Sequence, residues 1–157
     1  MNKMATLELP VRDAPDCLPY EMAPTRGNPE CVLLIDDSEE SMLLVRYALQ
    51  QYGEGKYRLE WAQRLSEGLD QILKGGIDIV LLDLGLPESS GPESYAWVRE
   101  IAANIPVVVL TGDARQETEA AVTASGVECY LVKDQVSGAL LLRAIRASLS
   151  AKRAVVA

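Results

Sequence analysis

The chain has 157 residues, 48% of them hydrophobic and 24% charged, which suits one globular domain with a core of its own. Its formal charge of −8 argues against direct contact with nucleic acid or an anionic membrane surface. It contains no histidine, which excludes the usual general base, the usual zinc ligand and any Ser–His or Cys–His nucleophile pair; a phosphohistidine in its chemistry would have to arrive on another protein.

Residues 1–29 carry five prolines and no hydrophobic period, and read as an extended or disordered arm. Cys31-Val32-Leu33-Leu34-Ile35 reads as a first buried strand and ends in Asp36-Asp37. Ser38 is a good N-cap, with Glu39 and Glu40 in the positive first turn of a helix that Gly53 stops. Tyr57 to Ala62 alternates as a strand nearer an edge. A second helix runs through Leu65, Leu69, Ile72 and Leu73 to Gly75-Gly76. Ile77 to Leu82 is apolar on both alternating faces, typical of a strand buried on both sides of a parallel sheet, and it stops abruptly at Asp83 before a Gly/Pro loop.

Pro92 suits the first turn of a third helix through Tyr95, Val98, Ile101 and Ala102. Pro106 to Leu110 reads as a fourth buried strand, ending in Thr111-Gly112-Asp113. A small Ala-rich helix is expected over about 116–125, then a fifth strand, Glu128 to Val132, ending in Lys133. The last helix is expected over roughly 136–152, leaving 153–157 as a tail. Strands alternating with helices over short connections imply an α/β fold, a parallel sheet with helices on both faces and right-handed crossovers, within one domain over residues 30–152.

Cys17, Cys31 and Cys129 are odd in number and widely spaced, as expected of reduced thiols in a cytoplasmic protein. No apolar run is long enough to span a membrane, and no GK[ST] loop or GxGxxG supports nucleotide binding.

Four strand ends carry polar groups that converge on one edge of such a sheet: Asp36 and Asp37, Asp83, Thr111, and Lys133. Each has a bland explanation, since acids cap helices, Thr suits strands and a Lys at a strand end is usually solvated. Together they are the parts that phosphoryl transfer needs. Clustered carboxylates call for a hard divalent cation such as Mg²⁺, a Lys and a hydroxyl can meet phosphoryl oxygens, and Asp83 can act as nucleophile.

These stretches resemble a response-regulator receiver domain over roughly residues 30–150. The matching pieces are Val32-Leu33-Leu34-Ile35-Asp36-Asp37, Ile79-Val80-Leu81-Leu82-Asp83-Leu84-Gly85-Leu86-Pro87, Val107-Val108-Val109-Leu110-Thr111-Gly112 and Tyr130-Leu131-Val132-Lys133. Any one is a weak signal; all four in order are highly specific. The resemblance implies a flavodoxin-like sheet of order 2-1-3-4-5. It implies Asp83 as phosphoacceptor, with Asp36, Asp37, Asp83 and the Gly85 carbonyl around Mg²⁺. It implies Thr111, Gly112 and Lys133 against the phosphate, and Thr111 with Tyr130 as the switch. The implied partners are a sensor histidine kinase or histidine phosphotransfer protein, with signalling or homodimer contacts through the fourth helix, fifth strand and fifth helix. The implied role is that of a cytoplasmic phosphoacceptor rather than an enzyme acting on other substrates.

Asp134 stands where the family commonly has Pro, which removes the ground for a cis peptide there. Small Gly85 leaves the approach to the acceptor uncrowded. Two rivals are a receiver-like interaction module that is never phosphorylated, and a phosphatase forming its own aspartyl phosphate. The second lacks the general acid expected two residues after the nucleophile, where Gly85 stands.

Overall fold

The computed structural model describes residues 29–87, 91–112 and 129–156. In chain order the elements are β1 (Glu30–Ile35), α1 (Glu39–Tyr52), β2 (Tyr57–Ala62), α2 (Leu65–Lys74), β3 (Ile79–Leu82), α3 (Gly91–Ile101), β4 (Val107–Thr111), β5 (Cys129–Val132) and α4 (Gly138–Val156), with a 3₁₀ turn over Lys133–Gln135. The strands form one parallel sheet in the order β2-β1-β3-β4-β5. This is the flavodoxin-like strand order that the resemblance to receiver domains implies.

Alternation along the central strands builds two core layers. Leu33, Ile35, Val80, Leu82 and Val109 face α2 and α3, packing with Leu65, Ile72, Tyr95 and Val98. Val32, Leu34, Leu81, Val108 and Leu110 face α1 and α4, packing with Met42, Val45, Leu141 and Ile145. Both faces of β1, β3 and β4 are therefore dry, which is why these strands read as unbroken aliphatic runs. β2 lies at one edge, as its polar alternation suggests.

Local signals act where expected. The Ser38 side chain accepts from the Ser41 N–H, capping α1, and α2 ends at Gly75, with φ at +91°. Several boundaries differ from expectation, and two of the shifts have a local cause. β3 begins at Ile79 because Asp78 is used as a clamp: its N–H donates to the Cys31 carbonyl and its carboxylate accepts from the Cys31 N–H at 2.7 Å. α4 continues to Val156, through part of the expected tail, because Ala151 to Val156 contains good helix formers and no Gly or Pro. The arm through residue 28 and the helix expected over 116–125 lie outside the described residues, as does Cys17. Cys31 and Cys129 are free thiols on strands, and burial raises the pKa of both. Among the described residues no helix is long and apolar enough to cross a membrane.

At Gly68 α2 lies tight against the sheet, where a Cβ would stand 2.4 Å from Ile35 Cδ1 and 2.6 Å from its Cγ1. Ile35 is fully buried and carries the chain into Asp36. Gly68→Ala is expected to lose about 1–2 kcal/mol, because overpacking of about 1–3 kcal/mol outweighs the gain in helix propensity of at most about 1 kcal/mol. The midpoint of urea unfolding checks this.

Candidate functional site at the carboxyl edge of the sheet

The parallel register decides which side chains meet. β1 and β3 are neighbours with Ile35 opposite Leu82, so the next residues, Asp36 and Asp83, leave the sheet side by side. The Asp83 N–H donates to the Ile35 carbonyl and the Asp36 N–H to the Ala62 carbonyl, which continues the ladder to the tips. Both acids are withdrawn from water, Asp36 at 0% exposure and Asp83 at 5%, whereas Asp37 is exposed. One carboxylate oxygen from each of the three lies within 4.8 Å of the others. At that separation and an effective dielectric of about 20, two like charges repel by about 3–4 kcal/mol.

Lys133, at the tip of β5, answers part of this repulsion. Its ammonium lies 2.7 Å from Asp36 Oδ2 and 3.4 Å from Asp83 Oδ2. Asp36 Oδ1 accepts from the Ser38 N–H at 2.9 Å. Oδ2 is buried without a directed hydrogen bond, and its contact with Lys133 is one of charge. Asp83 Oδ1 accepts from the Gly85 N–H at 3.0 Å. Burial pushes the Asp83 carboxyl above the ordinary carboxylate range. The Gly85 N–H opposes that, the Asp36 charge adds to it and the Lys133 charge again opposes it.

The remaining expected residues lie at the same edge or beside it. Thr111 is buried at the end of β4, next to Asp83's strand, and is paired with Val132 of β5. Gly112 follows it into open space, with nothing within 4 Å of where a Cβ would stand. A Cβ at Gly85 would stand 3.5 and 3.7 Å from the two Asp83 carboxylate oxygens, so a larger side chain here would sit over them. Tyr130 is half-buried, packs against the α2–α3 layer and lies opposite Val109. No peptide among the described residues is cis, and Asp134 lies in the 3₁₀ turn. Asp113 lies outside the described residues.

One contact at this edge was not read from the sequence. The indole Nε1–H of Trp61 donates to the Asp36 carbonyl at 2.7 Å. The signal was available in principle, since a parallel pairing of the first two strands places the end of β2 beside Asp36.

Three carboxylates that each bring an oxygen within 4.8 Å of the others make an all-oxygen donor set that fits a hard divalent cation. Exposed Asp37 gives such an ion a way in from water.

Fold and edge together define a doubly wound α/β domain with an acidic centre at its carboxyl tips. Residues 32–146 match the family model of the response regulator receiver domain, and the chain belongs to that family. It is 30% identical over 107 residues to the polar-differentiation response regulator DivK of Brucella anthropi, covering 67% of this chain and 85% of that protein. It is 33% identical over 127 residues to a probable cyclic di-GMP phosphodiesterase of Vibrio cholerae, covering 78% of this chain but only 27% of the relative. The chain likewise spans 14% of the autoinducer 2 sensor kinase/phosphatase LuxQ of Vibrio vulnificus. Among solved structures, the signal receiver domain of an HD domain-containing protein from Pseudomonas fluorescens superposes with a TM-score of 0.73 at 23% identity, covering 85% of this chain and 96% of that one. The chemotaxis response regulator CheY4 of Vibrio cholerae superposes at 0.65 with 26% identity, covering 77% and 99%.

The raised Asp83 pKa has a measurable consequence. A carboxylate whose folded pKa lies above its unfolded value of 3.8 opposes folding once ionised. The penalty is absent below the unfolded value and complete above the folded one. Asp83→Asn is therefore expected to raise the urea midpoint at pH 7, and the difference from the parent should shrink as the pH falls towards the unfolded value. Equal midpoints at both pH values would show that Asp83 is not held under this strain.

Proposed function

We propose that the chain is a phosphoacceptor of a two-component phosphorelay, taking a phosphoryl group on Asp83 and signalling by protein contact. The observation that carries this is the placement of the Asp83 carboxylate at a strand tip, within reach of the Lys133 ammonium and of two further acids. The donor is a phosphohistidine on a sensor kinase or phosphotransfer protein, since this chain has no histidine of its own.

In the transfer an Asp83 carboxylate oxygen forms a bond to phosphorus while the phosphorus–nitrogen bond breaks. The electron pair of that bond leaves with the imidazole, and an acyl phosphate remains. Such a step asks the protein for position and charge more than for covalent work. The β1–β3 register and the Gly85 N–H hold Asp83 in place. Lys133 supplies a compact positive charge to one phosphoryl oxygen, and the Thr111 hydroxyl and Gly112 backbone meet others. Asp36, Asp37, Asp83 and the Gly85 carbonyl would hold Mg²⁺. When bound, the ion screens the carboxylates from one another and stabilises charge on the transferring group.

Tyr130 deepens its burial when Thr111 is drawn towards the phosphate, a local charge event read out by a two-position side chain. The fourth expected helix, β5 and α4 would present that change to a downstream protein or a second copy. The site belongs in the cytoplasm, where sensor kinases present their phosphohistidines.

The test is incubation with Mg²⁺ and acetyl phosphate, followed by intact-mass measurement. The parent is expected to gain one phosphoryl group and Asp83→Asn none, with beryllofluoride shifting the Thr111 and Tyr130 resonances of the parent alone. No mass gain in the parent, or an equal gain in Asp83→Asn, would refute the assignment.

A further inference from the structure

The tip of β1 is met by a side chain of the edge strand that lies outside the acid cluster. The ladder between β1 and β2 runs to its last rung, where the Asp36 N–H meets the Ala62 carbonyl. In a parallel ladder the next rung would pair the Asp36 carbonyl with a backbone N–H two residues beyond Ala62. β2 has ended by then, and the chain bends through Gln63 and Arg64 into α2. The Trp61 indole supplies a donor for this carbonyl instead, at 2.7 Å.

This carbonyl belongs to the peptide that joins Asp36 to Asp37. That peptide is planar, so fixing its oxygen fixes the plane from which the Asp37 backbone and side chain depart. Asp36 is already held by its own N–H, by the Ser38 N–H on its Oδ1 and by Lys133 at its Oδ2. Asp37 is exposed, at the end of the strand, and its carboxylate must be set by its main chain. Trp61 is half-buried and packs against the α1–α4 layer beside Leu34, its register partner, so the ring is anchored before it donates.

We propose that Trp61 is a positioning residue for the metal centre, holding the Asp36–Asp37 peptide so that the Asp37 carboxylate stays within reach of the ion that Asp36 and Asp83 share. This deepens the metal reading of the site and rests on it. Groups that orient ligands from behind typically change metal affinity about 10–100-fold when removed. Acting through one peptide plane, Trp61 belongs at the low end of that range.

The experiment is a calorimetric Mg²⁺ titration of the full chain and of Trp61→Phe, which keeps an aromatic ring and removes the N–H. A second readout is the Trp61 emission in a Trp97→Phe background, Trp97 being the only other tryptophan and lying exposed on α3. The affinity of Trp61→Phe is expected to fall about tenfold. The Trp61 emission should shift on adding Mg²⁺, and the shift should vanish in the Asp37→Asn variant of that background. If Trp61→Phe folds poorly, benzothienylalanine at position 61 gives the same comparison, because it keeps the bicyclic shape and lacks only the N–H. Unchanged Mg²⁺ affinity in a folded variant lacking the N–H, whatever its thermal stability, would overturn the inference and leave Trp61 as packing alone. A parent chain that binds no Mg²⁺ would instead sink the metal reading, and this inference with it.

Discussion

Two carboxylates buried side by side at neighbouring strand tips, with one ammonium between them, are the constraint on which the rest of the structure turns. Asp36 and Asp83 stand together because β1 and β3 are adjacent and in register, not because they are near in sequence. Left alone, they would repel each other in a place that water barely reaches. Lys133 reaches both from β5, two strands away from β3 in the sheet. The acidic centre therefore depends on the complete strand order, and a change of topology would scatter it.

The site is held in tension by the body of the domain. Its acids lie at the ends of strands whose apolar residues fill two core layers, and burial there stabilises the fold by about 25 cal/mol for each Å² of apolar surface removed from water. That stabilisation can offset carboxylates held closer than they would choose. On the proposed reading, a cation or a phosphoryl group would meet groups already in position and would cost little reorganisation. Gly85 and Gly112 leave the approach open. Tyr130 and Val132 on β5 lie opposite Val109 and Thr111, which sets a half-buried aromatic on the strand beside Thr111.

Much of this was legible in the sequence, for physical reasons. Strands dry on both faces must be aliphatic throughout, so the end of each run is conspicuous, and the polar residue found there is the one delivered to the edge. Asp36, Asp83 and Thr111 stand where such runs end, and Lys133 ends the half-buried run of edge strand β5. Contacts that depend on relative placement were not legible. Nothing in the spacing says that Lys133 spans two acids rather than standing free, that Asp78 clamps Cys31 and shortens β3, or that Gly68 lies against Ile35. Trp61 is the sharpest case. Alternation places it on the edge strand, but only the point where β2 ends relative to β1 turns it from a half-buried aromatic into a donor to the Asp36 carbonyl.

If cations relieve carboxylate crowding at this edge, the unfolding midpoint of Lys133→Met with and without Mg²⁺ is the most direct measurement. Without the ion, loss of the ammonium should cost about 3 kcal/mol, the order expected when one partner of a buried ion pair is removed. Adding Mg²⁺ at about a hundred times its dissociation constant should return about 2–3 kcal/mol by binding the folded chain alone. A midpoint indifferent both to the loss of Lys133 and to the ion would contradict the view that charge crowding at these strand tips organises the site.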